Sequence, residues 1–374
     1  MTAGSTVRPV AARVLILTAS VGEGHDLPAR LLATALEEEV RPVEVEVENC
    51  LPAMGRVVAA VSQSAPGVVF FRFRWLWDLG YWVFARFAPT RRATQVAMTR
   101  LAAPGILSLI AARAPDVIVS VYPNVTEVLG RLRAGGRIGV PVVAVITDLA
   151  AMHYWATPGA DIHLIIHPES VAEVREVAGA DARVRVVRGL IAPAFAVPRE
   201  QPVARRALDL PVEGKVVIVS GGGWGVGDVE GAVEEALGLE PVTAVVCLCG
   251  RNDGLRRSVA AAFANESRVR VEGFTDQMPE WLAAGDVLVH STGGLTMLEA
   301  IVRGCAPISY GWGRGHVRLN NEAFERFGLA AVASTRSELR VALERALAAR
   351  PQPDLSFAAL PTAASCVLDL VATA

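Results

Sequence analysis

The chain has 374 residues, 52% of them hydrophobic and 20% charged, with a formal net charge of −2. That is room for two domains of ordinary size, and so even a charge balance gives no overall reason to expect nucleic acid. The five cysteines (Cys50, Cys247, Cys249, Cys305, Cys366) are scattered, and Cys247-Leu248-Cys249 lacks the two-residue gap of a redox or zinc pair, so buried thiols are expected. No signal peptide opens the sequence and no run of about eighteen uncharged apolar residues occurs, which predicts a cytoplasmic protein.

Residues 14–19 read as a buried parallel strand that runs into Ser20-Val21-Gly22-Glu23-Gly24-His25-Asp26, with a helix from about Pro28 to Glu39. Val43, Val45 and Val47 alternate with Glu44, Glu46 and Glu48 as a second strand. Strand, glycine turn, helix and strand predict an α/β fold with a doubly wound sheet. The turn is no dinucleotide fingerprint, because Leu27 holds the last glycine position of GxGxxG. His25 stands at the carboxyl edge of the first strand, where open α/β sheets bind ligands, and imidazole titrates near neutrality. It is a general-base candidate; the plainer alternative is a helix-capping or surface histidine.

Residues 54–113 break the alternation. Phe70, Phe71, Phe73, Trp75, Trp77, Tyr81, Trp82, Phe84 and Phe87 interleave with Arg72, Arg74 and Arg86, and Arg91, Arg92 and Arg100 follow, against one acid, Asp78. The charges interrupt too early for a spanning helix. Aromatics with arginines suit a segment lying in the interface of an anionic membrane; a packed Trp-rich helix pair is the alternative. Strands follow at 116–120 and 141–146, the second ending in Thr147-Asp148 at the crevice edge, with His153 and Trp155 soon after. Asp148 would orient or share the proton of a nearby base, or cap the next segment. Strands at 162–166 and 184–187 complete the first sheet.

Pro193, Pro198, Pro202 and Pro211 mark the domain boundary. The expected division is an N-terminal domain over 1–195, a C-terminal domain over 196–350, and a tail and helix over 351–374 that returns to the N-terminal domain. The second series opens with a strand at 215–220 and the loop Gly221-Gly222-Gly223-Trp224-Gly225-Val226-Gly227. A strand at 242–248 ends in Gly250-Arg251-Asn252, and one at 269–272 leads into Gly273-Phe274-Thr275-Asp276. In 287–304 a Val-Leu-Val strand breaks at Ser291-Thr292-Gly293-Gly294, and a helix begun by Leu295 and Thr296 closes at Gly304. Free amides and the positive end of that helix make an anion pocket. Glu299, one turn inside, suits two hydroxyl hydrogen bonds from a ribose; phosphate on the turn and ribose on the carboxylate describe a nucleotide. An ordinary strand–helix junction with a solvated Glu is the alternative. A last strand at 306–310 runs into Gly311-Trp312-Gly313-Arg314-Gly315, after which His316 and Asn320 share one helix face. Residues 362–371 read as a helix.

Two Rossmann-like halves with glycine turns facing a cleft resemble the GT-B glycosyltransferases. The closer resemblance, over nearly the whole chain, is to family 28, which includes the monogalactosyl- and glucosyldiacylglycerol synthases and the peptidoglycan lipid-intermediate GlcNAc transferase. Gly22-Glu23-Gly24-His25 is similar to the family's loop ending in the catalytic histidine, and 141–155 to its strand, Thr-Asp, His and Trp motif. Ser220-Gly221-Gly222-Gly223 resembles the donor-phosphate loop, 273–278 the segment covering the uracil, and Gly293-Gly294-Leu295-Thr296 with Glu299 the turn and ribose-binding glutamate. Two departures stand out: Tyr122-Pro123 replaces a usual His-Pro pair, and 312–316 replaces a Gln/Glu/Asn-rich sugar loop.

The resemblance implies an inverting, metal-independent transfer of a hexose from a UDP-sugar, used as co-substrate without a cofactor, to a lipid acceptor such as diacylglycerol. It implies catalysis by His25 with Asp148, and donor binding by Gly221, Gly222, Gly223, Trp224, Arg251, Phe274, Thr275, Gly294, Leu295, Thr296, Glu299, His316 and Asn320. Acceptor or membrane contacts fall to Gly24, His153, Trp155, Arg72, Arg74, Trp75 and Trp77. The expected partners are the UDP-sugar, the lipid acceptor and an anionic membrane surface, with the protein peripheral on the inner face of the cell membrane and no nucleic acid bound. The alternatives are a transferase for a soluble or natural-product acceptor and an isomerase of the UDP-GlcNAc 2-epimerase kind. The isomerase would need several cleft carboxylates, and few acids stand at these strand ends. A catalytically silent nucleotide-sugar binder would have less use for both His25 and Glu299. A Rossmann dehydrogenase is opposed by two glycine turns that both miss the fingerprint.

Overall fold

The computed structural model describes residues 11–20, 23–60, 79–223, 225–291, 294–311, 313 and 315–372. Of the predicted site residues, Arg72, Arg74, Trp75, Trp77 and Trp224 lie outside the described residues. The first half is one parallel sheet built from β1 (Ala12–Thr18), β2 (Val43–Asn49), β3 (Val117–Ser120), β4 (Val142–Ile146), β5 (Ile162–Ile165) and β6 (Val184–Val186). Its spatial order is β2-β1-β3-β4-β5-β6. The second half repeats the plan with β7 (Lys215–Ser220), β8 (Val242–Leu248), β9 (Val269–Glu272), β10 (Val287–His290), β11 (Ala306–Tyr310) and β12 (Ala331–Ala333), in the order β12-β11-β10-β7-β8-β9.

Physical patterning explains these elements. The central strands are unbroken Val, Ile and Leu runs buried on both faces, as a sheet covered by helices on each side demands. The exposed edge strand β2 keeps its Val/Glu alternation. In each sheet the order reverses once, between β1 and β3 and between β7 and β10, and that reversal opens a crevice at the carboxyl ends of the two strands. Leu17 lies opposite Ser120 across the first reversal, and His290 opposite Ser220 across the second.

The structure corrects the sequence reading at two points. The strand at 306–310 is not the last: β12 pairs with β11, but at three residues it is too short to show an alternating pattern. The first helix spans Glu23–Glu37 and so begins five residues ahead of Pro28. The proline's missing N–H forfeits only the bond to the Gly24 carbonyl, one turn back. His25 therefore sits inside the first helical turn.

The aromatic–arginine region resolves, from residue 79 onward, into a π-helical turn Trp82–Arg86 and a 26-residue helix Ala88–Arg113. By length and composition that helix could cross a bilayer. It buries Gln95, and its Met98, Ala102, Ala103 and Ile106 lie in one cluster with apolar residues of the helix Pro123–Ala134.

The chain passes between the halves twice. At the first crossing the Arg303 guanidinium donates to the carbonyls of Val197 (2.6 Å) and Ala194 (2.7 Å) and lies over the Phe195 ring. After the second crossing, Ala363 N–H donates to the Arg188 carbonyl (2.8 Å), and the helix Ala363–Ala372 packs on β3 and on the helix Glu23–Glu37.

One buried ion pair anchors the second half: Arg205 Nη2 lies 2.6 Å from Asp286 Oδ2, each side chain under 5% exposed. Asp286 also accepts from Val216 N–H (2.8 Å). Arg205→Met leaves that carboxylate, among the described cations, only the longer contact to Lys215 Nζ (3.6 Å), and the expected loss is about 3 kcal/mol in urea unfolding. A loss below about 1 kcal/mol would mean that water reaches Asp286.

Candidate active site

The first crevice is organised around His25. Its Nδ1 lies 2.9 Å from the Val121 carbonyl, immediately past β3. A carbonyl only accepts, so Nδ1 carries the proton and Nε2 is the basic nitrogen of the neutral ring. The Tyr122 ring stands against the imidazole edge to face, with centroids 5.2 Å apart and planes at 81°. One residue on, Asp26 accepts from Thr18 Oγ1 at the end of β1 (2.8 Å). His25 and Asp26 together thus bridge the two strands that diverge at the switch point.

The second crevice is lined by glycine backbone. Gly222, Gly225 and Gly227 adopt φ of 69°, 60° and 105°, conformations that side chains rarely tolerate. Val226 N–H closes the loop onto the Gly221 carbonyl (2.9 Å), and Arg251 N–H reaches the Gly223 carbonyl (2.9 Å). A Cβ on Gly250 would lie 2.4 Å from the Gly222 carbonyl oxygen. Gly250→Ala is therefore expected to push the glycine loop out of place, lowering stability by about 1–3 kcal/mol and, if the loop holds the diphosphate as the resemblance implies, UDP affinity roughly tenfold or more. Isothermal calorimetry and thermal unfolding read the two effects.

Opposite that loop, Gly294 (φ 86°) caps the helix Leu295–Arg303, whose first amides face the crevice. Glu299 lies one turn inside, 5% exposed. No described residue hydrogen-bonds its carboxylate, and burial pushes its pKa from 4.5 up to about 7. A buried carboxyl group held without a partner is costly, and such groups concentrate where a ligand supplies the missing donors. Arg251 lies over the Phe274 ring, 3.9 Å from its centroid, and Phe274 is exposed at the crevice mouth. The Thr275 hydroxyl is occupied locally, accepting from Gln277 N–H (3.0 Å) and Trp281 Nε1 (3.2 Å).

Across the cleft the halves touch through two residues that the sequence assigned to separate tasks. Asn320 Nδ2 donates to Asp148 Oδ1 (2.7 Å), and Asn320 Oδ1 accepts from Ala150 N–H (2.9 Å). Asn320 is 1% exposed. The same loop faces Gly294, where an added Cβ would lie 3.5 Å from the Thr147 carbonyl and 3.7 Å from Asp148 Oδ1. Arg326 pairs with Glu173 nearby. A cavity of about 490 Å³ opens here between the halves, lined among others by Tyr81, Arg86, Arg91, His153, Leu319 and Glu322. Burial, with Arg91 and Arg86, lowers the His153 pKa.

The predicted residues therefore fall into separate groups. Gly221, Gly222, Gly223, Arg251, Phe274, Gly294, Leu295, Thr296 and Glu299 gather at the second crevice, and Gly24 and His25 at the first. Asp148 and Asn320 form the bridge between the halves. His316 is the first residue of the helix His316–Arg326, and Trp155 is a partly buried packing residue of the first half. Sequence reasoning missed His290, whose Nδ1 lies 3.0 Å from the Ser220 carbonyl and whose pKa burial lowers to about 4. It ties β10 to β7 where the crevice opens; a polar residue ending an apolar strand was the available signal. It also missed His167, buried and neutral, which meets Phe324 of the other half edge to face at 5.9 Å.

The profile described as monogalactosyldiacylglycerol (MGDG) synthase matches residues 31–189. The processive diacylglycerol beta-glucosyltransferase of Staphylococcus carnosus is 25% identical over 234 residues, 62% of this chain and 59% of that protein. The protein of the same name from Staphylococcus epidermidis (strain ATCC 12228 / FDA PCI 1200) is 28% identical over 238 residues. The chain thus spans about three-fifths of the length of the curated relatives it matches. Among solved structures, MurG of Acinetobacter baumannii superposes with a TM-score of 0.58 at 17% identity, covering 97% of this chain and 100% of that one. The glycosyltransferase SnogD of Streptomyces nogalater gives 0.57 at 18%, with the same coverages. Two parallel six-stranded sheets, each with one reversal of strand order, give the chain a GT-B fold. In sequence the chain is similar to the monogalactosyldiacylglycerol synthase family over residues 31–189, and in fold to the GT-B glycosyltransferases.

Proposed function

We propose that the protein is an inverting, metal-independent hexosyltransferase that moves a sugar from a UDP-sugar to a lipid hydroxyl, with diacylglycerol as the acceptor. The observation that carries this reading is Glu299, buried one turn inside the helix whose start faces the glycine loop and without a hydrogen-bonding partner among the described residues. Its two oxygens match the two ribose hydroxyls, while the amides at 221–223 and 294–296 meet the diphosphate. The same amides and the helix dipole stabilise the charge that develops on the leaving diphosphate, the task a metal performs in other transferases. Across the cleft His25 Nε2 takes the proton of the attacking hydroxyl, and direct attack inverts the anomeric carbon. In this division of labour residues 1–195 hold the acceptor, 196–350 hold the donor, and 351–374 return to the acceptor side.

The membrane part of the proposal is supported by Trp82, Phe84 and Phe87, all exposed beside Arg86, Arg91 and Arg92. Trp82 and Phe87 stack with centroids 5.4 Å apart. Exposed aromatics fenced by arginines suit the headgroup layer of an anionic leaflet, which would put the enzyme at the inner face of the cell membrane. The names of the relatives agree with a diacylglycerol acceptor and a glucosyl donor.

The experiment is UDP release over a panel of UDP-sugars, with and without diacylglycerol in phosphatidylglycerol liposomes, repeated in EDTA. Lipid-dependent release that survives EDTA supports the proposal and names the sugar. Release only with a soluble acceptor would sink the lipid assignment, and sensitivity to EDTA the metal independence. Conversion of the donor to its epimer without UDP release would overturn transfer itself.

A further inference from the structure

His25 gains its orientation from the turn that follows β3, and that turn carries more hydrogen bonds than a helix start needs. The Tyr122 carbonyl accepts from Thr126 N–H (3.0 Å), Thr126 Oγ1 (3.0 Å) and Ser120 Oγ (3.2 Å). The Tyr122 hydroxyl accepts from Asn124 Nδ2 (3.0 Å). Both ends of the residue are therefore fixed, and its side chain is 7% exposed. The ring so fixed is the one that stands at 81° against the imidazole, while the neighbouring Val121 carbonyl holds Nδ1. One two-residue unit thus sets both the rotation and the protonation pattern of His25.

We propose that Tyr122 is a positioning residue for transfer: its ring holds the His25 imidazole in the orientation in which Nδ1–H meets Val121 and Nε2 is left as the basic nitrogen. The proposal rests on the assignment of His25 as the base. Without the ring wall the imidazole can turn about its Cβ–Cγ bond and lose the bond to Val121, and the second tautomer, with the proton on Nε2, becomes accessible. A base in the wrong tautomer cannot accept the proton, and a small misplacement of a reacting group is expected to slow turnover about 10- to 100-fold. Donor binding, which lies on the other sheet, is untouched. The Tyr122 hydroxyl, bonded to Asn124 Nδ2, lies at the far end of the ring, so phenylalanine is expected to serve nearly as well.

The test uses the full chain with 15N-labelled histidine. Long-range 1H–15N spectra report the tautomer of His25, whose signals are identified by their loss in His25→Ala. Tyr122→Ala, with Tyr122→Leu as a better-packed second variant, is expected to mix the tautomers and to lower kcat about 10- to 100-fold with donor KM within about twofold of wild type. Tyr122→Phe is expected to keep the wild-type spectrum and kcat within about threefold. A wild-type spectrum and turnover in both Tyr122→Ala and Tyr122→Leu would overturn the proposal. So would a mixed spectrum with unchanged turnover, or a Tyr122→Phe as slow as Tyr122→Ala. If His25→Ala itself transfers sugar at the wild-type rate, the assignment of the base fails and the positioning role with it; an inactive His25→Ala beside a fully active Tyr122→Ala refutes the positioning role alone.

Discussion

Glu299→Gln is expected to weaken UDP binding about 100-fold and, at pH 8, to make the protein more stable than wild type. Both effects follow from a carboxyl group that is buried and has no hydrogen-bonding partner among the described residues. In the folded chain its pKa is raised from 4.5 to about 7, so the folded state keeps a proton that the unfolded state has already released. The group therefore costs nothing below pH about 4.5, and stability drains away as pH rises towards 7, by roughly 3 kcal/mol in all. Glutamine never ionises and escapes that loss. The stability difference should vanish near pH 4.5 and be complete above pH 7.5, measured by urea unfolding at both ends. Donor binding moves the other way, because only the carboxylate can accept from both ribose hydroxyls with a full charge. In the wild type, UDP affinity should fall as pH drops below about 7, by at most tenfold per pH unit. A glutamine variant that binds UDP normally would remove Glu299 from the donor site. One that is destabilised at pH 8 would show that the carboxylate has a protein partner after all.

His25→Ala is expected to lower kcat about 100- to 10,000-fold, the usual worth of a positioned general base, while leaving the dissociation constant of UDP unchanged. The separation is architectural. The histidine stands at the switch point of one sheet and the nucleotide groups at that of the other, so removing the imidazole empties no part of the donor site. Calorimetry with UDP and single-turnover transfer from the identified donor read the two quantities independently. A fall of less than about tenfold would move the base elsewhere, with Asp148 the next carboxylate to test. Weakened UDP binding would instead mean that the substitution disturbs the meeting of the halves.

The features that could be read from the sequence are those whose parts are neighbours in the chain. A buried strand writes itself as a run of branched apolar residues, and every strand long enough to do so was legible; Ala331–Ala333 was not. The turn at 291–294 and Glu299 are close in the chain, so a nucleotide site could be proposed there from the sequence alone. Contacts between distant residues leave no such trace. Asp148 and Asn320 lie 172 positions apart, and nothing local indicates that the amide of one holds the carboxylate of the other. Read alone, Asp148 is expected as a catalytic helper and Asn320 as a sugar ligand, and the contact between them is legible from neither. The roles of Tyr122 and His290 were hidden for the same reason, since each is defined by a strand that the chain reaches from elsewhere. Even the position of His25 in the first helical turn was obscured by Pro28, which announces a helix start five residues too late.

The return of the last helix to the first sheet changes what the two halves can do relative to each other. Ala363–Ala372 follows the donor half in sequence, yet it packs on the helix Glu23–Glu37, which carries His25. The halves are therefore joined by two tethers, one near 193–200 and one near 350–362. A body held at two points swings most easily about the line through them, as a book opens on its spine, and resists twisting about any other axis. Opening along that line would part Asp148 from Asn320 and close them again in the same register. Cutting the chain near residue 350 would free this swing from its second pin. It would also take a supporting wall from the helix that carries His25, so a change that looks remote in sequence would be felt first in the N-terminal half.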